Sequence, residues 1–391
     1  MASDRKKLLM FAAAHLADDV YMNAIPPFVP VLVSASGLSF AAAGLLVTLF
    51  TVASSVTQPL LGYVADRFRY RWLSGVGLIW VGSFIALLGL GEPYALLLPV
   101  AALAGLGPAV FHPPAISSVS TIATRARGRL MATFLVGGNL GFAAGPVLVG
   151  LFTTIWGLRG MLAMGLPGLL MGGYLLRRAP AVSVRTEGGR VPSPRLGDIS
   201  PAAVLFAVAV LRAWVYLSAV TYVPAHFVAM GNSILRSNSY VTFMLLAGVT
   251  GQFIGGSLSD LWSRKKVTGV TLFLAAPLFL LFLHTTGTAS LVFLFLFGFF
   301  LMGSFSVTLV MAQELMPKHV AMASGMMIGF AVGLGGVGVL LTFAVGLGGV
   351  GVLLTGMLAD AVGVSRALHA LAALSLIGSI LVPFIPHGEK G

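Results

Sequence analysis

Apolar segments long enough to cross a membrane recur along the chain, broken by short clusters of turn residues and charges. A helix rises 1.5 Å per residue and the hydrocarbon layer is roughly 30 Å thick, so about 20 apolar residues span it. The breaks define twelve spans, near residues 8–33, 39–64, 72–91, 94–123, 130–155, 160–177, 200–229, 237–259, 267–285, 288–315, 319–358 and 365–386. Between the sixth and seventh lies a polar stretch, 178–199, with Pro180, Gly188, Gly189, Pro192 and Pro194. It reads as a linker on the cytoplasmic side between a bundle of residues 1–177 and a second of residues 200–391. The expected class is an all-α polytopic membrane protein.

The two halves share a motif. Gly62-Tyr-Val-Ala-Asp66-Arg67 and Gly256-Ser-Leu-Ser-Asp260 each close an apolar span and precede bases, and both the glycines and the aspartates are 194 residues apart. A period of nearly half the chain indicates internal duplication, which in a membrane protein points to a two-bundle transporter. Glycine lets helices approach closely, and an aspartate beside bases can make charge-assisted contacts to a helix end across a bundle interface. Gly62, Asp66, Arg67, Gly256, Asp260 and Arg264 are therefore candidate gate residues; the basic loops alone would also serve to orient the chain. Glu314, three residues before Pro317-Lys318, is expected near the cytoplasmic face as a partner of Arg264, Lys265 or Lys266. Asp360 is expected to be solvated near the outer surface.

Composition removes the soluble reading, with 58% hydrophobic and 9% charged residues and a mean hydropathy of +1.00. A net charge of +12 would suggest nucleic acid in a soluble protein. Here all Lys and Arg except Arg159, Arg212, Arg236 and Arg366 fall at one side of the predicted spans. The positive-inside rule then explains the charge without nucleic acid and puts both termini in the cytoplasm. The first span is long, carries two aspartates and lacks a small-residue cleavage site, so it is expected to stay as a helix of a multi-pass plasma-membrane protein. Without cysteine there are no disulfides or thiolate metal sites. No Walker lysine, His-Glu-x-x-His or Gly-x-Ser-x-Gly is present, which argues against an ATP-driven pump or a hydrolase. The chain is expected not to be an enzyme, to need no cofactor or metal, and to act as a monomer on a small molecule.

Ionisable residues deep in a bilayer cost at least a few kcal/mol each and normally face a cavity or a partner. His15, Asp18, Asp19, Tyr21 and Asn23 lie roughly mid-membrane in the first span. His15, Asp19, Asn23 and Pro26 form one stripe, while Asp18 sits about 100° around the helix from Asp19, so the two acids are not expected to point squarely at one partner. His112 precedes Pro113-Pro114, whose missing N–H groups should kink the fourth span. It could carry protons or bond the carbonyls that the kink frees. Asn139 is a substrate contact or an interhelical hydrogen bond, and Tyr21, Trp214, Tyr216 and Tyr222 line a cavity or pack.

Phe111-His112-Pro113, Val136-Gly-Gly-Asn139-x-Gly141, Gly145-Pro146, Ala312-Gln-Glu-Leu315 and Gly329-Phe-Ala331 occur in an order and spacing that resembles the major facilitator superfamily, and within it the fosmidomycin-resistance branch. The resemblance covers nearly the whole chain. It implies two pseudo-symmetric six-helix bundles and a proton-coupled antiporter that expels small, often anionic, organic compounds. Gly141-x3-Gly145-Pro146 resembles the antiporter motif of drug-exporting facilitators, which favours export. The chain departs from the branch after Phe-His-Pro, with Pro114, Ala115, Ile116 and Ser117 where related sequences resemble a glutamate followed by an arginine. In the resembled fold the first and seventh spans flank the central cavity. Aligning Leu16-x4-Tyr21 with Leu211-x4-Tyr216 puts Arg212 at the depth of Ala17. Asp19, or else Asp18, is then expected to take the proton together with His112. Arg212 is expected to meet Asp19 across the cavity and attract an anionic group of the substrate, with Tyr21, Asn23, Asn139, Trp214 and Tyr216 around it. A purely structural ion pair is the other reading of Asp19 and Arg212. A facilitator handling lipids or lysolipids, and a sensor or assembly protein on a transporter fold, are the competing functions.

Phe330–Thr342 and Phe343–Thr355 are identical. Equivalent positions of the two halves are offset by 188 residues at Gly141 and Gly329 but by 206 at Gly157 and Gly363; without one 13-residue block the latter falls to 193, close to the 194 of the gate motifs. One copy is expected to be surplus, an irregular insertion near the outer end, with a locally elongated eleventh helix as the alternative. The charge asymmetry generates a direct test. A reporter fused to the C-terminus should read cytoplasmic, and an external C-terminus or an odd number of crossings would overturn the topology.

Overall fold

A computed structural model describes residues 2–68, 72–91, 93–122, 127–178, 200–316 and 343–386. All regular elements among these are helical. In chain order they are α1 (Ala2–Met22), α2 (Ile25–Ser36), α3 (Phe40–Phe68), α4 (Leu73–Leu87), α5 (Tyr94–Ile122), α6 (Arg127–Trp156) and α7 (Gly160–Arg178). The second half supplies α8 (Ala203–Ala229), α9 (Ile234–Leu261), α10 (Arg264–His284), α11 (Gly287–Gly303), α12 (Phe305–Leu315), α13 (Phe343–Val362) and α14 (Val364–Leu381). Nine stretches of the described residues are long and apolar enough to cross a membrane; one of them, Thr133–Arg178, contains both α6 and α7.

Two spans read as continuous are broken. The first divides into α1 and α2 because Pro26 and Pro27 have no N–H to return to the preceding turn, and the chain turns at Asn23 and Ala24. The tenth divides into α11 and α12 at Ser304. Broken helices at membrane depth are tolerated where protein or a cavity surrounds the freed backbone.

Glycine sets the spacing of the first half. Gly137, Gly141 and Gly145 recur every fourth residue on α6, and a Cβ at any of them would strike main-chain carbonyls of α1: those of Ala12, Leu16, and Val20 and Asn23 respectively. Backbone cannot retreat as a side chain can, so the two helices meet at a distance only glycine permits. The expected packing role of Gly141 and Gly145 is therefore matched by the geometry, with Pro146 buried in the next position. In the second half, Gly251 and Gly255 of α9 meet the carbonyls of Phe299 and Gly303 in the same way. Large apolar side chains such as Phe253, 73% exposed, face outward. That is the surface hydrocarbon stabilises and water does not.

The halves are joined at the end remote from Arg264, Lys265 and Lys266. Thr48 of α3 donates to the Gly349 carbonyl of α13 at 2.6 Å, and Asn238 of α9 donates to the Pro27 carbonyl of α2 at 3.3 Å. Asp360 is tied rather than solvated. Although exposed, it accepts from the main-chain N–H groups of Phe40 and Ala41 at 2.7 and 2.9 Å, where a carboxylate satisfies the open donors at the start of α3.

The second copy of the repeated block, Phe343–Thr355, forms the first part of α13 and packs in the membrane region against α3 and α8. The first copy lies outside the described residues. Gly157 and Gly363, the positions whose offset exposed the extra block, both turn with positive φ, 60° and 88°, where a side chain would be strained. Because the blocks are identical, removing either one gives the same chain. That shortened chain should melt within a few degrees of the full one in the same detergent and lipid; a large drop would show that both copies belong to the fold.

Candidate functional site

Four titratable side chains meet inside the first half. His15, Asp18 and Asp19 come from α1, and α5 brings His112 to them. His112 Nε2 lies 3.1 Å from Asp18 Oδ2 and 3.6 Å from Asp19 Oδ1, so one imidazole stands between both acids. The expectation that the two aspartates cannot share a partner is corrected: 100° around a helix is small enough when the partner arrives from the neighbouring helix and fits between them. His15 Nε2 is 3.4 Å from Asp19 Oδ2, one turn along. Its other nitrogen, Nδ1, is 2.9 Å from the Phe134 carbonyl of α6, and its ring stacks on Phe134 with centroids 4.0 Å apart. A carbonyl only accepts, so Nδ1 carries the proton and Nε2 turns its lone pair, or a second proton, toward Asp19.

Burial of this group is nearly complete. Asp18 is 0% and His112 1% exposed, while the Asp19 side chain keeps 15%. Asp19 is thus the least buried of the four. Asp18 accepts no well-formed hydrogen bond among the described residues, and the His112 and His15 imidazoles are the groups that face its charge. His15, Asp19 and His112 each offer one nitrogen or oxygen atom, all within 4.8 Å of one another.

Gly138 makes room for the cluster. A Cβ there would lie 2.5 Å from Asp19 Oδ2 and 2.6 Å from His15 Nε2. The sequence contained this residue within Val136-Gly-Gly-Asn139, but one of two adjacent glycines carries no mark of facing a charged pair.

Arg212 is buried on α8 but makes no ion pair with Asp19 or any other acid among the described residues. It donates to the Thr308 hydroxyl at 2.8 Å, and its guanidinium lies 4.7 Å from the centre of the Phe305 ring. Both partners sit in the first turn of α12, just after the break at Ser304, so each half sets its polar centre beside a broken span. Cation–π contact and one hydroxyl hold the arginine without neutralising it.

The other expected cavity residues divide. Tyr21 is wholly buried, donating to the Met164 carbonyl at 2.7 Å and accepting from Gly168 N–H at 2.6 Å, so it pins α1 to α7 and does not line a cavity. Asn23 is also wholly buried and donates to the Phe142 carbonyl at 2.9 Å, tying the broken first span to α6. Tyr222 is buried too, and donates to Val352 O at 2.9 Å. For Tyr21 and Tyr222 the packing alternative fits this geometry, and the expected substrate contact of Asn23 is replaced by an interhelical hydrogen bond, because position along a helix does not say which way a side chain faces. Trp214 and Tyr216 are half-buried, the first donating to Thr355 Oγ1 of α13 at 2.9 Å and the second meeting the other half, its ring 6.0 Å from that of Phe142. Asn139 is half-buried on α6. Arg264 pairs with Glu314, joining α10 to α12 as the sequence suggested. Gly256 approaches Ser306, and Asp260 is exposed at the end of α9. The Gly62, Asp66 and Arg67 side chains, like Lys318, lie outside the described residues.

The chain belongs to the Major Facilitator Superfamily, whose family profile matches residues 9–340. It is 29% identical to the fosmidomycin resistance protein of Escherichia coli K12 over 95% of this chain and 91% of that one. It is 30% identical to the MFS-type transporter YfnC of Bacillus subtilis 168, over 98% and 93%. Among solved structures it resembles a bacterial homologue of the lysosomal transporter Spinster in an inward-facing, occupied conformation, with TM-score 0.83 and 15% identity over 97% and 96% of the two chains. The nucleoside transporter NupG (D323A mutant) matches with TM-score 0.80 and 10% identity over 97% and 100%. The protein is accordingly a multi-pass membrane transporter of the facilitator fold and not an enzyme.

The space at Gly138 supplies a test of the cluster. Gly138→Ala must displace His15 and Asp19 and should slow transport at least about tenfold, since displacements near 1 Å at a working site cost up to about a hundredfold. Gly173→Ala, where a Cβ meets nothing within 4 Å, should leave the rate unchanged. Equal rates in the two variants would remove the cluster from the transport path.

Proposed function

We propose that this chain is a proton-coupled antiporter that exports a small organic anion by alternating access. The observation that carries the reading is the buried meeting of Asp18, Asp19, His15 and His112 with no arginine or lysine paired to either acid among the described residues. Two carboxylates in hydrocarbon are costly without a counter-charge, and imidazoles next to them can supply it only by holding protons. Asp19, the least buried of the four, is the exchange point; Asp18 and His112 hold charge behind it. Arg212 supplies a separate positive centre whose fork suits carboxylate or phosphonate oxygens, with Trp214, Tyr216 and Asn139 as neighbouring contacts.

Proton and anion then occupy opposite halves of one site. Alternating access requires the outer ties, Thr48 to Gly349, Asn238 to Pro27 and Asp360 to the start of α3, to open when the inner end closes. The inner gate would use Asp66 and Asp260 with the Arg264–Glu314 pair. The resistance named for the Escherichia coli relative supports export, and supports a phosphonate as the first compound to test.

In proteoliposomes an imposed pH gradient should drive fosmidomycin flux. Asp19→Asn should abolish the pH-driven flux yet keep fosmidomycin–fosmidomycin exchange, whereas Arg212→Gln should lose both. Full pH-driven flux in an Asp18→Asn, Asp19→Asn double variant, or flux driven by a divalent cation gradient in place of pH, would overturn the assignment.

A further inference from the structure

A second histidine site lies at the outer rim of the second half, away from the transport centre. His284 is the last residue of α10 and His369 lies in the second turn of α14. Their Nε2 atoms are 3.2 Å apart, with ring centroids separated by 5.0 Å and planes inclined at 70°. His369 Nδ1 is 2.8 Å from the Ser365 carbonyl. That carbonyl can only accept, so Nδ1 holds the proton and the Nε2 lone pair of neutral His369 points at His284. A carbonyl on the far nitrogen is the device that orients metal-bound histidines.

We propose that His284 and His369 form a divalent transition-metal site that bridges α10 and α14 on the extracytoplasmic face. Zinc–imidazole bonds of about 2.0–2.1 Å at a tetrahedral angle place two donor nitrogens about 3.3 Å apart, close to the separation found. Binding requires His284 only to shift its proton to Nδ1. The scaffold is fixed independently of the pair, because Ser375 and Ser379 of α14 donate to the Leu272 and Gly269 carbonyls of α10 at 2.8 and 2.9 Å. His284 is exposed, so water completes the coordination and the ion exchanges with the outside medium. Two imidazoles select Zn2+, Cu2+, Ni2+ or Co2+, while Mg2+ and Ca2+ require oxygen ligands.

The test uses the purified full-length protein with any polyhistidine tag removed, and Co2+ as the probe. One Co2+ per chain should bind with a visible ligand-field band, be displaced by Zn2+ and by EDTA, and be unaffected by excess Mg2+. His284→Gln and His369→Gln should each weaken binding about tenfold or more, and a His15→Gln, His112→Gln double variant should bind as the parent does. An unchanged band in the two rim variants, or loss only in the double variant, would overturn the proposal. The wild-type chain gives a readout that needs no substitution: Zn2+ should protect His284 and His369 from acylation by diethyl pyrocarbonate, and equal modification with and without Zn2+ would equally overturn it.

Discussion

Hydrocarbon offers no hydrogen bonds, and nearly every feature of this molecule answers that constraint. Polar side chains inside the helices return to carbonyls of their own turn, as Thr51 does to Val47 and Thr153 to Val149. Others reach across to a neighbouring helix, as Tyr21 and Asn23 do. The groups that could not be satisfied so cheaply are the charged ones, and among the described residues those enclosed by the helices lie in two places: the Asp–His cluster of the first half and Arg212 of the second. Each lies next to a broken span, where freed backbone and side-chain hydroxyls offer partners that an unbroken helix lacks.

Close packing makes the cluster possible. The α1–α6 seam brings backbone against backbone at Gly137, Gly141 and Gly145, and the residue between them, Gly138, opens the space into which His15 and Asp19 turn. Steric and electrostatic requirements thus act through the same nine residues of α6, Gly137 to Gly145. A larger residue at one position would separate the helices; at the neighbouring position it would scatter the charges. The Phe134 carbonyl and ring, one turn away, fix the orientation of His15.

The halves also meet through close packing: a Cβ at Gly356 of α13 would lie 2.7 Å from the Phe40 carbonyl of α3, and one at Gly349 would lie 2.9 Å from the Thr51 side chain. Within a half, glycine seams and buried side chains give contacts that resist separation. Between the halves, hydrogen bonds such as Thr48 to Gly349, and an exposed carboxylate at a helix start, add to that packing at the end remote from Arg264. Individual bonds of this sort contribute about 0.5–1.5 kcal/mol net, small enough to be remade in another arrangement.

Most of the helical spans, and the presence of Asp18, Asp19, His112 and Arg212 within them, were legible in the sequence. They depend on the length of a helix across hydrocarbon and on spacing along one chain. Glu314 was also legible, because a lone acid beside a basic loop has few other partners. Direction was not. Tyr21 and Tyr216 align as equivalents, yet one is sealed between α1 and α7 and the other stands half-exposed between the halves. His112 joins the α1 acids and Arg212 turns to Thr308 and Phe305 because of which helices adjoin and how closely glycine lets them approach. By itself the sequence determined what crosses the membrane and which spans hold the charges. Which charges meet was decided only by the tertiary structure, since an azimuth around a helix acquires a partner only when a second helix packs against it.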